Sequence, residues 1–524
     1  MAAELLDADS RAWSRSLDHA HQGCQLSRGT RNASYIARKS RLATVAPVNV
    51  RLNIEILAVL LLGLAALECV PIPVAWSYGE PMAPFLWSAV PAALLGGILV
   101  ASTRGADRQM RARDGLLVVS AAWILISAFG ALPYLLGNHL GLADALFEST
   151  SGFTTTGSTV VTNVESLPRS ILLWRSMTQW IGGMGIIVLT VAILPYLGIG
   201  GMQLFKYEVP GPVKGKLSPR IADTARRLYF IYVGLTAAAF LCLWIAGLDL
   251  FDAACHALTT LSTGGFSTRN GSIGAFGSPL VEWIVIAFML LAGINFMLHY
   301  WTVTGRAKDV VRDEELRAYL LICAIMVLGV AWALSDPHFT AESFRTAAFQ
   351  VVSLLTTTGY ATSDYESWPQ LGLFLLLTLL VLGGMAGSTA GGLKTIRLII
   401  GWRAMRRNLA LAPHRTAVRK IRYSGEAVSE GTVSGVLVFF FMYFGLALLS
   451  ATLLAAAGYD LGTSISAALT TIGNVGPGIG EVGPSDHFAH LPNHIKLSLS
   501  VCMIAGRLEI ISLLALLHPR FWRR

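Results

Sequence analysis

Four short stretches of the chain end in threonine, asparagine and glycine in a pattern able to take the place of water around a cation. They read DALFESTSGFTTTG (144–157), DAACHALTTLSTGG (252–265), TAAFQVVSLLTTTG (346–359) and TSISAALTTIGNVG (463–476), and they align without a gap. ALTTLSTGG (257–265) and ALTTIGNVG (468–476) match at five positions, and GFST (265–268) mirrors GYAT (359–362). Backbone carbonyls arranged as rings can replace the hydration shell of an ion, and glycine adopts the backbone angles that a sharp carbonyl-lined turn needs. The expected ligands are therefore the carbonyls of Thr155, Thr156 and Gly157; Thr263, Gly264 and Gly265; Thr357, Thr358 and Gly359; and Asn474, Val475 and Gly476.

A single TTTG is more often a capped turn in a loop, so the elements around it decide. Each stretch is preceded by a mostly apolar segment too short to cross a bilayer, which takes about 20 residues. Each begins with Asp or Thr, residues that cap helix N-termini. The unit reads as cap, half-helix, extended strand, glycine, with one full span on either side. Non-helical backbone at membrane depth is tolerated only where protein buries it or it lines a water-filled path. Four strands around one axis meet that condition together, and four half-helix C-termini aimed at the axis add partial negative charge that favours a cation.

Composition puts these units in lipid. Of 524 residues 54% are hydrophobic and 14% charged, and apolar stretches of spanning length recur, as at 54–74, 116–136, 283–301 and 433–457. The formal charge of +9 is not a nucleic-acid signature, because Lys and Arg gather in alternate loops (104–113, 206–227, 306–312, 403–422 and 520–524). Such alternation is the positive-inside pattern, and it places both termini in the cytoplasm. Residues 1–50 are polar, lack the apolar run of a secretory signal, and are expected to be a disordered cytoplasmic arm. The six cysteines form no CxxC pair, which points to packing and not to a metal site or disulfide framework. Asp144, Glu148, Asp252 and His256 on the half-helices are read as caps and internal hydrogen-bond partners. No paired carboxylates or His cluster suited to catalysis are apparent, so a lipid- or quinone-binding membrane enzyme is a weak rival.

The filters, together with WRSMTQWIGGMGIIVL (174–189), PGPVKGKLSPRIADTA (210–225), GINFMLHY (293–300), GGMAGSTAGGLKTIR (383–397) and GRLEI (506–510), resemble the TrkH/KtrB/HKT superfamily of potassium transporters, and its TrkH branch in particular. The resemblance covers nearly everything after residue 51. It implies an all-α polytopic membrane protein with four helix/half-helix-filter/helix repeats around one pore, preceded by two extra transmembrane helices. The corresponding boundaries are an arm at 1–50, the extra pair at 51–113, repeats at 114–205, 206–305, 306–402 and 431–524, and a cytoplasmic basic segment at 403–430. In this family glycine at all four filter positions goes with K+, and serine in the first with Na+. Two features depart from the pattern: the fourth filter is Asn474-Val475-Gly476-Pro477 in place of Thr-x-Gly, which implies weaker selectivity than in potassium channels, and the N-terminal arm is long.

The third repeat's second span is interrupted at 383–392, a poor helix and a good loop. Gly383, Gly384, Gly387, Ser388, Thr389, Gly391 and Gly392, with Lys394 beyond, are by resemblance an intramembrane gate below the filter. The competing reading is close helix packing, since Gly383, Gly387 and Gly391 form overlapping GxxxG patterns. It is not a P-loop, because Leu393 separates Gly392 from Lys394. Arg507 lies in the last apolar span, where a charge marks a functional site by default. It could stand under the filter as an electrostatic barrier or pair with Glu509 or loop carbonyls. The resemblance further implies K+ as the transported ion, a homodimer, membrane lipid around it, and a TrkA-type cytosolic partner that carries the only nucleotide site. The expected function is K+ uptake across a bacterial inner membrane, the alternative being a sodium-permeable or H+- or Na+-coupled symporter of the same architecture.

Overall fold

The computed structural model describes residues 48–105, 112–185, 221–335, 339–413, 420–508 and 510–522. Asn49–His518 form one compact unit, which carries everything that follows. The expected arm before residue 48, the basic loop 206–220 and Glu509 lie outside the described residues.

The described residues fold almost wholly as helices, the one named strand pair being a short hairpin of Arg422–Tyr423 against Glu426–Ala427. Among the described residues six helices are long and apolar enough to cross a membrane: Val50–Ser77, Ala83–Thr103, Arg113–Leu136, Ala225–Ile245, Glu314–Ala333 and Glu430–Ala456. The first two pack against each other ahead of the repeats. The other four each lead into one short helix: Leu142–Phe153, Leu250–Leu261, Ala341–Leu355 and Leu461–Gly473. These are the four pore helices, and each is followed by a return helix.

The return helices differ. In the first repeat the described return helix is Arg169–Met184, ending at Gly185, and in the fourth Asn493–Arg507 gives way after Leu508 to a second short helix, Ile511–Leu517. The stretch 283–301, expected to be one span, is two helices, Pro279–Ala292 and Phe296–Val303, bent by 98°. Asn295 causes the break by turning its side chain to the Met297 amide and capping a new helix. The third return is Gln370–Leu379, a loop, then Thr395–Leu411.

All four N-caps of the pore helices differ from expectation, three of them because the capping side chain lies further upstream. The side chains that accept the orphan N–H groups are Asp249, Thr340 and Asp460, upstream of the Asp252, Thr346 and Thr463 that open the aligned stretches. The first pore helix starts after Gly141 with no side-chain cap, and Asp144 in its first turn accepts an ion pair from the buried Lys496 at 2.5 Å.

Large apolar side chains line the outer surface as well as the core. Trp76, Ile98, Phe230, Ile245, Leu321, Trp332, Phe441 and Leu448 are exposed on the outside, as lipid contact requires. Inside, Glu148, Arg175, Gln179, His256, Gln350 and the filter threonines are buried. Buried polar groups need partners, and the partners assemble the pore.

Candidate ion pathway

Each pore helix ends in the same backbone sequence. Thr155, Thr263, Thr357 and Asn474 take left-handed angles with φ of 54°, 53°, 57° and 53°, and two residues later Gly157, Gly265, Gly359 and Gly476 have φ of 85°, 79°, 81° and 113°. The left-handed residue turns the chain out of its helix, and Asn is among the side chains that tolerate it best. The fourth repeat thus reaches the threonine geometry with a different residue.

The four glycines close a ring. A methyl group on Gly157 would overlap the carbonyl oxygen of Gly264, one on Gly265 that of Thr358, and one on Gly359 that of Val475. On Gly476 it would stand 2.9 Å from the Thr156 oxygen. First touches second, second third, third fourth and fourth first, so the strands surround one axis with each glycine facing the carbonyl of the residue before the glycine in the next strand. The expected filter residues are brought together in this way.

Residues just after the glycines fill the seams with different chemistry. Ser158 donates to the Gly476 carbonyl at 2.8 Å. Tyr360 is buried with its hydroxyl 2.5 Å from that of Thr259. The ring of Pro477 lies against Gly359. Phe266 carries the Arg175 guanidinium 4.1 Å above its ring. Arg175 is itself paired at 2.8 Å with Glu148, which also takes the Thr159 hydroxyl and the Val160 amide. Asp252 accepts from Thr268 and Arg269 at 2.6 and 2.7 Å. His256 bridges the Asp252 carbonyl and Ser267. Asn474 ties the fourth strand to the first through Thr156 Oγ1 and to the Met503 carbonyl, both at 2.9 Å. Thr155 Oγ1 and Asn474 Oδ1 are buried and have no hydrogen-bond partner among the described residues, which suits a site for water or a cation.

The glycine-rich loop between Leu379 and Thr395 is seated against the pore helices. Its neck is closed by the Leu382–Leu393 bridge and the Gly383 amide bond to the Leu393 carbonyl. Its far side is hooked into the break of the second repeat: Met385 donates to the Gly293 carbonyl and Phe296 to that of Gly387. The Gly391 amide donates to Thr357 Oγ1 at 2.6 Å, and the Thr389 hydroxyl reaches the Leu261 carbonyl at the end of the second pore helix. The loop therefore touches filter residues directly. Gly387 and Gly392 have φ of 75° and 64°, and a side chain on Gly383 would overlap the Gly391 carbonyl. Ser388 bonds the Met385 carbonyl, and Lys394 is buried with its ammonium on the Ala390 carbonyl.

Arg507 joins the loop to the first repeat. Its guanidinium donates to the carbonyls of Thr389 at 2.8 Å, Gly182 at 2.7 Å and Gly183 at 3.1 Å. Of the partners open to it on sequence, loop carbonyls are therefore engaged. A residue that sequence reasoning passed over, Glu315, ties the middle of the loop to the helix that follows it with one carboxylate oxygen, accepting from Ala386 at 2.8 Å and Ile396 at 3.0 Å. The adjacent Glu314 pairs with Arg403 and takes the Ser424 amide of the hairpin. Gln179 was missed too. It bonds the second filter from the helix of the first repeat, and its only sequence signal was its place in WRSMTQWIGG.

A belt of apolar helices around four re-entrant strands that close on one axis defines a polytopic membrane protein built on a pore. Comparisons with known proteins agree. The family model TrkH, "Cation transport protein", matches residues 85–523. The Trk system potassium uptake protein TrkH of Salmonella typhimurium is 41% identical over 436 residues, covering 82% of this chain and 90% of that protein. Its counterpart from Halomonas elongata is 38% identical over 489 residues, covering 91% and 100%. The crystal structure of the potassium transporter TrkH from Vibrio parahaemolyticus superposes with a TM-score of 0.82 at 37% identity, covering 91% of this chain and 100% of that one. The chain belongs to the TrkH family of cation transport proteins, and so to the transporters and not the enzymes.

Proposed function

We propose that this chain takes up K+ across the bacterial inner membrane through the ring of Thr155–Gly157, Thr263–Gly265, Thr357–Gly359 and Asn474–Gly476. The observation that carries the reading is the cyclic glycine-to-carbonyl contact, because a ring of fixed carbonyl dipoles is what a dehydrated monovalent cation needs. The names of the relatives, potassium uptake proteins throughout, support the same ion. Loop 383–392 is the gate: it lies against the filter, it is glycine-rich enough to move, and Arg507 holds it at Thr389 and Glu315 at Ala386. In the closed state Arg507 adds a positive charge to the path and raises the barrier to a cation. The basic residues placed in alternate loops support cytoplasmic termini, and the segment 403–430 offers a docking face for a TrkA-type nucleotide-binding partner beneath a dimer of this subunit.

Growth of a potassium-uptake-deficient bacterium on limiting K+ tests the reading. Expression of this chain with its regulatory partner restores growth, and failure to do so with the protein present in the membrane overturns it.

A further inference from the structure

Filter 2 is the odd member of the ring. Where the other strands have Thr156, Thr358 and Val475 before the glycine, it has Gly264, which lacks a side chain. In the first and third strands that side chain does work: Thr156 Oγ1 lies 2.7 Å from Thr154 Oγ1, and Thr358 Oγ1 lies 2.8 Å from Thr356 Oγ1. Nothing on strand 2 itself replaces this support.

The space is filled from another repeat. Gln179, fully buried on Arg169–Met184, puts its amide where a residue-264 side chain would be: a methyl there would overlap the Gln179 Cδ and lie 2.8 Å from its Cγ. The amide grips the strand at two points. Nε2 donates to the Gly264 carbonyl at 2.6 Å, and Oε1 accepts from the Phe266 amide at 3.0 Å. The orientation is fixed by chemistry, since a backbone N–H can only face the oxygen, which leaves the nitrogen for the carbonyl. The two bonds bracket Gly265, and the gripped carbonyl is the one facing Gly157 across the first seam.

We infer that Gln179 is a positioning residue for ion selectivity: it stands in for the missing threonine of filter 2 and holds the Gly264 carbonyl against inward collapse. A smaller ion such as Na+ is bound well only if ligands move inward. A carbonyl held from behind resists that movement and gives part of its lone-pair density to the amide. Discrimination against Na+ therefore depends on the clamp, whereas passage of K+ does not. The inference rests on the filter reading above.

The test is K+ and Na+ flux into proteoliposomes. Gln179→Ala retains K+ flux while K+ over Na+ discrimination falls by roughly fivefold, the worth of about one net hydrogen bond. Gln179→Glu keeps the size and the acceptor for Phe266 but loses the donor, and gives the same fall should the alanine variant not assemble. Gly264→Thr alone collides with Gln179 and loses transport. Gly264→Thr combined with Gln179→Ala rebuilds the threonine support of strands 1 and 3 and recovers discrimination, which a merely structural glutamine would not produce. Unchanged flux ratios in both Gln179 variants, or a double variant no more selective than Gln179→Ala, overturn the inference. Gly359→Ser runs alongside: if it too leaves the ratio unchanged the filter reading itself fails, and if it alone lowers the ratio only the role of Gln179 fails.

Discussion

Thr155, Thr263 and Thr357 hold left-handed backbone angles that β-branched residues avoid, at a cost on the order of 1–3 kcal/mol each. Surrounding contacts over-determine the turn, and strain of this kind gathers at functional sites. The ring predicts a graded response to added methyl groups. Alanine at Gly157, Gly265 or Gly359 must displace a neighbouring filter carbonyl, whereas at Gly476 it meets the Thr156 oxygen at 2.9 Å. In flux assays the first three variants lose most of their K+ over Na+ discrimination and Gly476→Ala retains the largest share; equal losses at all four would deny the uneven ring. The glycines and their repeat were legible in the sequence because the four stretches align without gaps. The clamp from Gln179 was not, since its two bonds cross from one repeat to the next and leave no spacing to read.

At the scale of elements, the third repeat's broken return helix is held by side chains from outside it. Glu315 accepts the loop amide of Ala386 and the amide of Ile396 in the helix that follows, and hydrogen bonds to a charged group contribute about 1.5–3 kcal/mol each. On the proposed gate, Glu315→Ala frees the middle of the loop from the following helix, so the variant expressed alone carries more K+ than the parent expressed alone; a flux equal to the parent's would remove Glu315 from that proposal. Arg507→Ala acts in the same direction by releasing Thr389 and removing a charge from the path, and reduced K+ flux in a folded variant contradicts the barrier. On the other side of the filter, Glu366 accepts from the Gly480 amide at 2.5 Å, joining the loops after the third and fourth strands. Partial burial, aided by Asp364, Asp486 and Asp460, raises its carboxyl above the ordinary 4.5 against the pull of that amide. The folded state then binds the proton more tightly than the unfolded state, so stability falls as pH rises from about 4.5 through the raised value. Thermal unfolding of the detergent-solubilised protein shows this fall, and Glu366→Gln flattens it. Sequence showed the third break through its glycines, but read 283–301 as unbroken because Gly293-Ile294-Asn295 is too short to interrupt an apolar average. It also placed the pore-helix caps too late, as several Asp and Thr residues compete near each helix start.

For the whole molecule, large apolar side chains both cover the outside and fill the core, buried polar groups gather around the filter, and the four repeats share one centre without sharing one chemistry. Hydrophobicity made the helical membrane class plain. Closure of the ring was out of reach of sequence, because which strand touches which is set by packing between segments far apart in the chain. The central claim is that this ring selects the ion. The most direct measurement is the ratio of K+ to Na+ flux in proteoliposomes holding either the parent chain or Gly359→Ser, whose added side chain must push the Val475 carbonyl aside. The parent favours K+ and the variant loses most of that preference while remaining folded; the same ratio in both would contradict the account.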